Sequence, residues 1–157
     1  MKKITNGALA ILMVLMLSGT ALAVDLTALD QVSVSMTRSE VLALLGNPDD
    51  VVDAGRGLKA EVYKVADMMP MVGAGCIYQD DQRLAGQAFI FQGKVGKEAV
   101  ERLLELGFAL MEEQDGTFRL LGKDDDTGRP LVAHIAFNDG MTVIMTFEKG
   151  FYDQRVK

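Results

Sequence analysis

Soft sulfur donors crowd together at one place in this chain, Met68-Met69-Pro70-Met71 followed by Cys76. Thioethers and a thiolate suit Cu(I), so Met68, Met69, Met71 and Cys76 form a candidate metal set. Copper-handling segments repeat Met at regular gaps with His nearby. Here the run is short, and the single histidine, His134, lies far along the chain. Methionine also serves as adaptable packing or as a pliable contact surface. Met69 and Met71 are therefore candidates for a partner-contact loop as well. Cys76 is the only cysteine, so no internal disulfide can form. It reads as a buried thiol, with an intermolecular disulfide or a reactive thiol as alternatives. A cysteine nucleophile wants a His base, and nothing in the sequence brings His134 to Cys76.

Other reactive residue types lead to no catalytic pattern. Asp124-Asp125-Asp126 offers the carboxylates calcium prefers, but Arg129 and Ile135 stand where a calcium loop needs Gly and Glu. That stretch reads as a solvated acidic turn. His134 shares a strand side with Val132 and Ala136, with no Ser or carboxylate at a catalytic spacing. Gly86 to Gly93-Lys94 has the wrong spacing for a phosphate loop, and no Ser or Thr follows the Lys. G-x-S-x-G and H-E-x-x-H do not occur. The reading is a non-enzymatic protein without a cofactor. What remains is a surface. Phe89 and Phe91 share one side of a strand, and Phe147 would sit on a corresponding side of a later one. Tyr63, Tyr78 and Tyr152 add amphipathic rings of the type enriched at interfaces. Phe89, Phe91, Phe147 and Tyr63, with Met69 and Met71, are the candidate binding residues; otherwise the aromatics are core.

Composition narrows the setting. The 157 residues hold 16 Lys+Arg against 22 Asp+Glu, a net charge of -6. That balance argues against nucleic acid, whose phosphates need clustered cations. A hydrophobic share of 49% excludes a disordered chain. Met1-Lys2-Lys3, the apolar run Gly7 to Leu17 and Ala21-Leu22-Ala23 make a signal-peptide pattern over residues 1–23. Cleavage near Ala23 leaves residues 24–157 as one mature domain, periplasmic or secreted. The mature span has 14 basic and 22 acidic side chains, so its charge is -8. No lipid-carrying Cys follows the cleavage point, and no later stretch is apolar enough to span a membrane.

Elements that must position these residues can be read from periodicity. Asp25 to Asp30 suits a helical turn, and Val32 and Val34 alternate like a short strand. Thr37-Arg38-Ser39-Glu40 is a capping box, Val41, Leu44 and Leu45 follow at helical spacing, and Gly46 and Pro48 stop the helix. Lys59 to Val65 reads as a strand, Asp67 to Gly75 as a Met-rich loop, and Cys76 to Gln79 with Leu84 to Phe91 as a hairpin. Lys97 to Leu106 is a second amphipathic helix. Strands follow at Phe108 to Glu112, Thr117 to Leu121, Leu131 to Phe137 and Met141 to Phe147. Each half thus runs from a helix into strands, residues 32–92 and 93–152. The expected fold is α+β, an antiparallel sheet with helices packed on one face, and two tandem repeats of one unit.

Leu29 to Asp49 resembles the opening of the SmpA/OmlA family of bacterial envelope proteins, V-x-x-G-M-T-x-x-E-V-x-x-x-L-G-x-P. Val32, Met36, Thr37, Glu40, Val41, Leu45, Gly46 and Pro48 carry the match, and Ser35 replaces the family glycine. The resemblance implies a small helix-helix-sheet unit similar to one repeat of the β-lactamase-inhibitor-protein fold, and the tandem layout looks like that two-repeat architecture. It implies fold and an envelope compartment more than a partner. The expected function is binding of another protein through an exposed sheet face, with a periplasmic Cu(I) or small-ligand binding protein using the Met-rich loop as one alternative and inhibition of a hydrolase, by fold analogy alone, as another. Two departures weigh on function: outer-membrane assembly members of the family are lipoproteins, and the inhibitor repeats carry disulfides.

Overall fold

A computed structural model describes residues 24–65 and 70–157. Residues 1–23, expected from sequence to be a signal peptide, and Met68 and Met69 of the sulfur cluster lie outside the described residues. The chain is an α+β protein built on one antiparallel sheet. Helix α1 (Leu26–Asp30) is capped by Asp25, whose Oδ1 accepts from the Ala28 N–H at 2.8 Å. Helix α2 (Arg38–Leu45) begins with the expected capping box: the Thr37 N–H donates to Glu40 Oε2 at 2.7 Å and the Glu40 N–H to Thr37 Oγ1 at 3.3 Å. Gly46 ends it at φ +77°, a conformation that favours glycine.

Eight strands follow: β1 (Asp50–Gly55), β2 (Leu58–Lys64), β3 (Met71–Tyr78) and β4 (Leu84–Gln92), then β5 (Ala109–Gln114), β6 (Thr117–Lys123), β7 (Pro130–Asn138) and β8 (Met141–Glu148). Helix α3 (Gly96–Glu105) separates the two groups, and α4 (Lys149–Phe151) runs into a π-helical turn, Tyr152–Val156. The sheet order is β1-β2-β3-β4-β8-β7-β6-β5. Sequential strands are hairpin neighbours, and the two groups meet where β4 pairs with β8. That seam leaves β1 and β5, the first strand of each group, as the two edges.

Alternation along the strands defines two faces. Pairing aligns Val62, Gly75, Ala88, Met145, His134, Arg119 and Glu112 in one row across the sheet. The neighbouring row, Tyr63, Ala74, Phe89, Ile144, Ile135, Phe118 and Glu113, belongs to the other face. On the first face Ile90, Val132, Val143 and Phe147 pack with Phe151, Tyr152 and Val156 of the C-terminal segment. On the second, Leu29, Val41 and Leu45 join Tyr63, Ala74, Cys76 and Leu84 in one cluster. Val100 joins Phe118, Leu120, Ala133 and Ile135 in another.

Several local expectations change. Val32 and Val34 are buried, but their segment is a turn rather than a strand: the Met36 N–H donates to the Ser33 carbonyl at 3.3 Å. Strand β1 escapes the sequence reading because Asp50, Asp53 and Gly55 are poor strand formers. Pairing to β2 holds it in place nonetheless. Strand β3 starts at Met71 rather than Cys76, so Met71 to Gly75 belong to the sheet. Its small residues Gly73, Ala74 and Gly75 look loop-like in sequence, but β2 and β4 flank them on both sides.

Candidate functional site

The aromatic candidates do not share a surface. Tyr63 is 1% exposed and Phe147 2% exposed, and both are core. Phe89 lies in the same row as Tyr63, half-buried under the first-half helices. Phe147 pairs with Gly86 on the opposite face, so it cannot join Phe89 and Phe91. The Phe147 ring fills the space a side chain at residue 86 would need: a Cβ there would stand 2.5 Å from the ring. Phe91 is half-buried and pairs with Thr142, near the end of β4. Alternation had correctly paired Phe89 with Phe91, but it carries no information on which side of a distant strand faces them.

The sulfur set is likewise divided. Met71 and Cys76 stand five residues apart on β3, roughly 16 Å of extended chain. Their side chains cannot reach one ion. Cys76 is 1% exposed, and burial first, then the negative charge of Glu61, pushes its thiol up to about 12. A thiol held protonated is a weak nucleophile and a poor ligand. Among the described residues no group of three or more His, Cys, Asp or Glu side chains is placed to hold a metal ion. His134 is on the other face: Cys76 aligns through Gln87 and Thr146 with Ala133, its neighbour. Burial, and then the Arg119 cation, hold the imidazole below its ordinary range. Arg119 is itself engaged with Glu112 at 2.7 Å.

Sequence reading missed one polar constellation. Under α2, Arg38 Nε donates to Glu61 Oε1 at 2.6 Å. Glu61 is 9% exposed and sits beside Cys76 across the β2–β3 ladder. Its second oxygen, the Tyr63 hydroxyl and Asp49 Oδ1 are buried with no hydrogen-bond partner among the described residues. Burial raises the Tyr63 phenol well above its ordinary range. The signal was present in Lys59 to Val65, where Glu61 shares a side with Tyr63: a carboxylate among apolar neighbours needs a cation. Arg38 supplies it from the first turn of α2.

The most exposed apolar side chains concentrate elsewhere. All six residues of β5 are exposed. Leu110 and Met111 of β5 and, a few residues earlier in the chain, Leu104 and Leu106 at the end of α3 are 42, 59, 45 and 52% exposed. The chain turns tightly here because Gly107 at φ +87° lets Phe108 fold back, its N–H donating to the Leu103 carbonyl at 2.9 Å. Phe108 packs over Gly122, where a Cβ would lie 2.4 Å from the ring. One aromatic is thereby sealed inward while four aliphatic side chains stay in solvent.

The other edge is closed off differently. Val51 on β1 is 50% exposed. However, the Val51 N–H donates to Asp50 Oδ1 and the Gly55 N–H to Asp53 Oδ1, both at 2.7 Å. Aspartates and a register shift between Asp53 and Gly55 blunt this edge. Strand β5 also shifts register, between Leu110 and Glu112, but no side chain caps its amides among the described residues. Among the described residues, no helix is long and apolar enough to cross a membrane. No protein-family model matches the chain, and no curated protein or solved structure matches it either.

Proposed function

We propose that this is an exported, non-enzymatic cell-envelope protein that holds another protein at the β5 edge and the adjoining end of α3. The observation that carries this reading is the exposure of Leu104 and Leu106 at the end of α3 and of Leu110 and Met111 on β5, an edge strand of the sheet. Contiguous exposed apolar side chains on a folded domain mark interaction sites, and an uncapped edge strand can accept a further strand. Export is supported by Lys2-Lys3, the apolar run to Leu17 and Ala21-Leu22-Ala23.

Two observations support the likeness to the SmpA/OmlA opening and to the two-repeat inhibitor architecture. Ser35, where the family has glycine, adopts φ +73° in the turn before α2, a position that favours glycine. Each half also follows a helix with a four-strand meander, and the meanders meet at their last strands. On this reading the two halves are diverged repeats, with α1, α2 and α3 on one face and the C-terminal segment on the other.

The test is affinity capture from the cell envelope with tagged protein, compared with a Leu106→Lys/Leu110→Lys variant of unchanged thermal stability. The expected outcome is a specific partner that the variant fails to retain. Identical recovery by both proteins would overturn the reading. Assay of the purified protein for β-lactamase inhibition checks the fold-analogy alternative, and the expected result is none.

A further inference from the structure

We infer that the occupant of the β5 edge is an extended segment of another protein, with apolar and basic side chains taking turns along one of its faces, which adds to the sheet as a ninth strand. This rests on the docking reading above and specifies the chemistry of its partner.

Register assigns what such a strand would meet. Leu110 pairs with Leu120 and Glu113 with Phe118, so both belong to the face that carries α3. Glu112 pairs with Arg119 and belongs to the other face. An added strand would therefore place an apolar side chain against Leu110 and Leu106, and a basic one near Glu113. Residues 96–116 contain Glu98, Glu101, Glu105, Glu112, Glu113 and Asp115 against Lys97 and Arg102, a net charge of -4. Arg102 is committed to Glu105 at 2.8 Å, and Arg119 to Glu112 at 2.7 Å. Glu113 forms no ion pair among the described residues. An apolar strip rimmed by net negative charge complements a cationic, half-apolar strand, and opposite charge sets partner choice and orientation. The same charge argues against a second copy of this chain. Two β5 strands side by side would bring Glu112 and Glu113 of both copies together, and like charges across a ladder are destabilising.

The experiment uses protein isolated from the envelope of cells expressing the full chain. It is titrated with synthetic peptides of strand length that carry both residue types on one face: a Lys-Val peptide of repeating Val-Ser-Lys-Ser, a Glu-Val peptide of repeating Val-Ser-Glu-Ser, and the Lys-Val peptide N-methylated at alternate amides. The Lys-Val peptide is expected to bind, more weakly as salt rises. The Glu-Val and N-methylated peptides should not bind. Leu110→Lys should weaken Lys-Val binding roughly tenfold, Glu113→Lys should shift preference toward the Glu-Val peptide, and Val51→Lys on the opposite edge should change nothing. Equal binding of the N-methylated peptide would exclude strand addition. Insensitivity to Leu110→Lys and Glu113→Lys, or failure of the Lys-Val peptide to bind, would overturn the inference. If the inference fails but envelope capture is still lost in Leu106→Lys/Leu110→Lys, the docking reading survives. If capture is also insensitive, both fall.

Discussion

The two halves of the sheet handle their polar and apolar groups in opposite ways. Beneath α2 the first half encloses an ion pair, a protonated thiol and a phenol among apolar neighbours. Its outer strand β1 is closed by its own aspartates. Beneath α3 the core is apolar, Val100 against Phe118, Leu120 and Ile135. Yet that half leaves four aliphatic side chains in solvent at its edge. Buried polar groups require partners to hold one geometry. The exposed part of an apolar side chain adds no burial on folding and is available to a partner. The contrast puts the buried polar groups in the first half and, on the proposed reading, the docking edge in the second.

The largest expected effect breaks the seam that joins them. Phe147 is packed over Gly86 and stacks with Phe151 at 6.1 Å between ring centroids. Phe147→Ala should destabilise by about 3–5 kcal/mol. If the halves form one cooperative unit, chemical denaturation will show a single transition shifted to lower denaturant. Two separate transitions would show that each half stands alone.

Arg38→Ala tests the first half. It strands the Glu61 carboxylate, which is 9% exposed, without its cation. The Arg38 side chain is 39% exposed, so water takes up part of the loss. The expected destabilisation is about 1–2 kcal/mol. Arg38→Ala with Glu61→Gln should recover part of it, measured by a denaturation double-mutant cycle. Full additivity would mean that the ion pair does not couple α2 to the sheet.

Much of this fold was legible. The capping box at Thr37 and Glu40 and the glycine stop are local chemistry, and α2 follows them closely. Hairpins with polar turns, such as β7–β8 at Asn138 to Gly140, follow for the same reason. Strand β1 and the early start of β3 were not legible, because neighbouring strands impose them against weak propensity. The edge strip was hidden for a related reason. Leu104 and Leu106 look like any helical apolar residues until Gly107 turns the chain away. Ser35→Gly is expected to stabilise by up to about 1 kcal/mol, since a side chain at φ +73° is strained. A lower melting temperature would contradict that account of the turn.

His134 separates the halves by pH. It lies in the second half, facing Arg119, and its folded-state proton affinity is lowered. The unfolded chain then binds a proton more readily below the ordinary histidine value of 6.5. The contribution of a neutral His134 is full above that pH and declines as pH falls through 6.5 toward the folded value. His134→Gln should flatten this part of the stability curve, and an unchanged slope would show that another group carries it.

The smallest effect on stability should accompany the largest effect on recognition. Leu110→Lys and Val51→Lys both place a cation at an exposed edge position, one on each half. Substitutions at such sites change folding free energy by about 0.5 kcal/mol or less. Thermal unfolding should therefore hardly distinguish them from the parent protein. Partner capture should distinguish them sharply, because the β1 edge already satisfies its Val51 and Gly55 amides with aspartate side chains while β5 offers an open strand. If Val51→Lys abolished capture and Leu110→Lys did not, recognition would belong to the first half, and a closed edge would be no obstacle to binding.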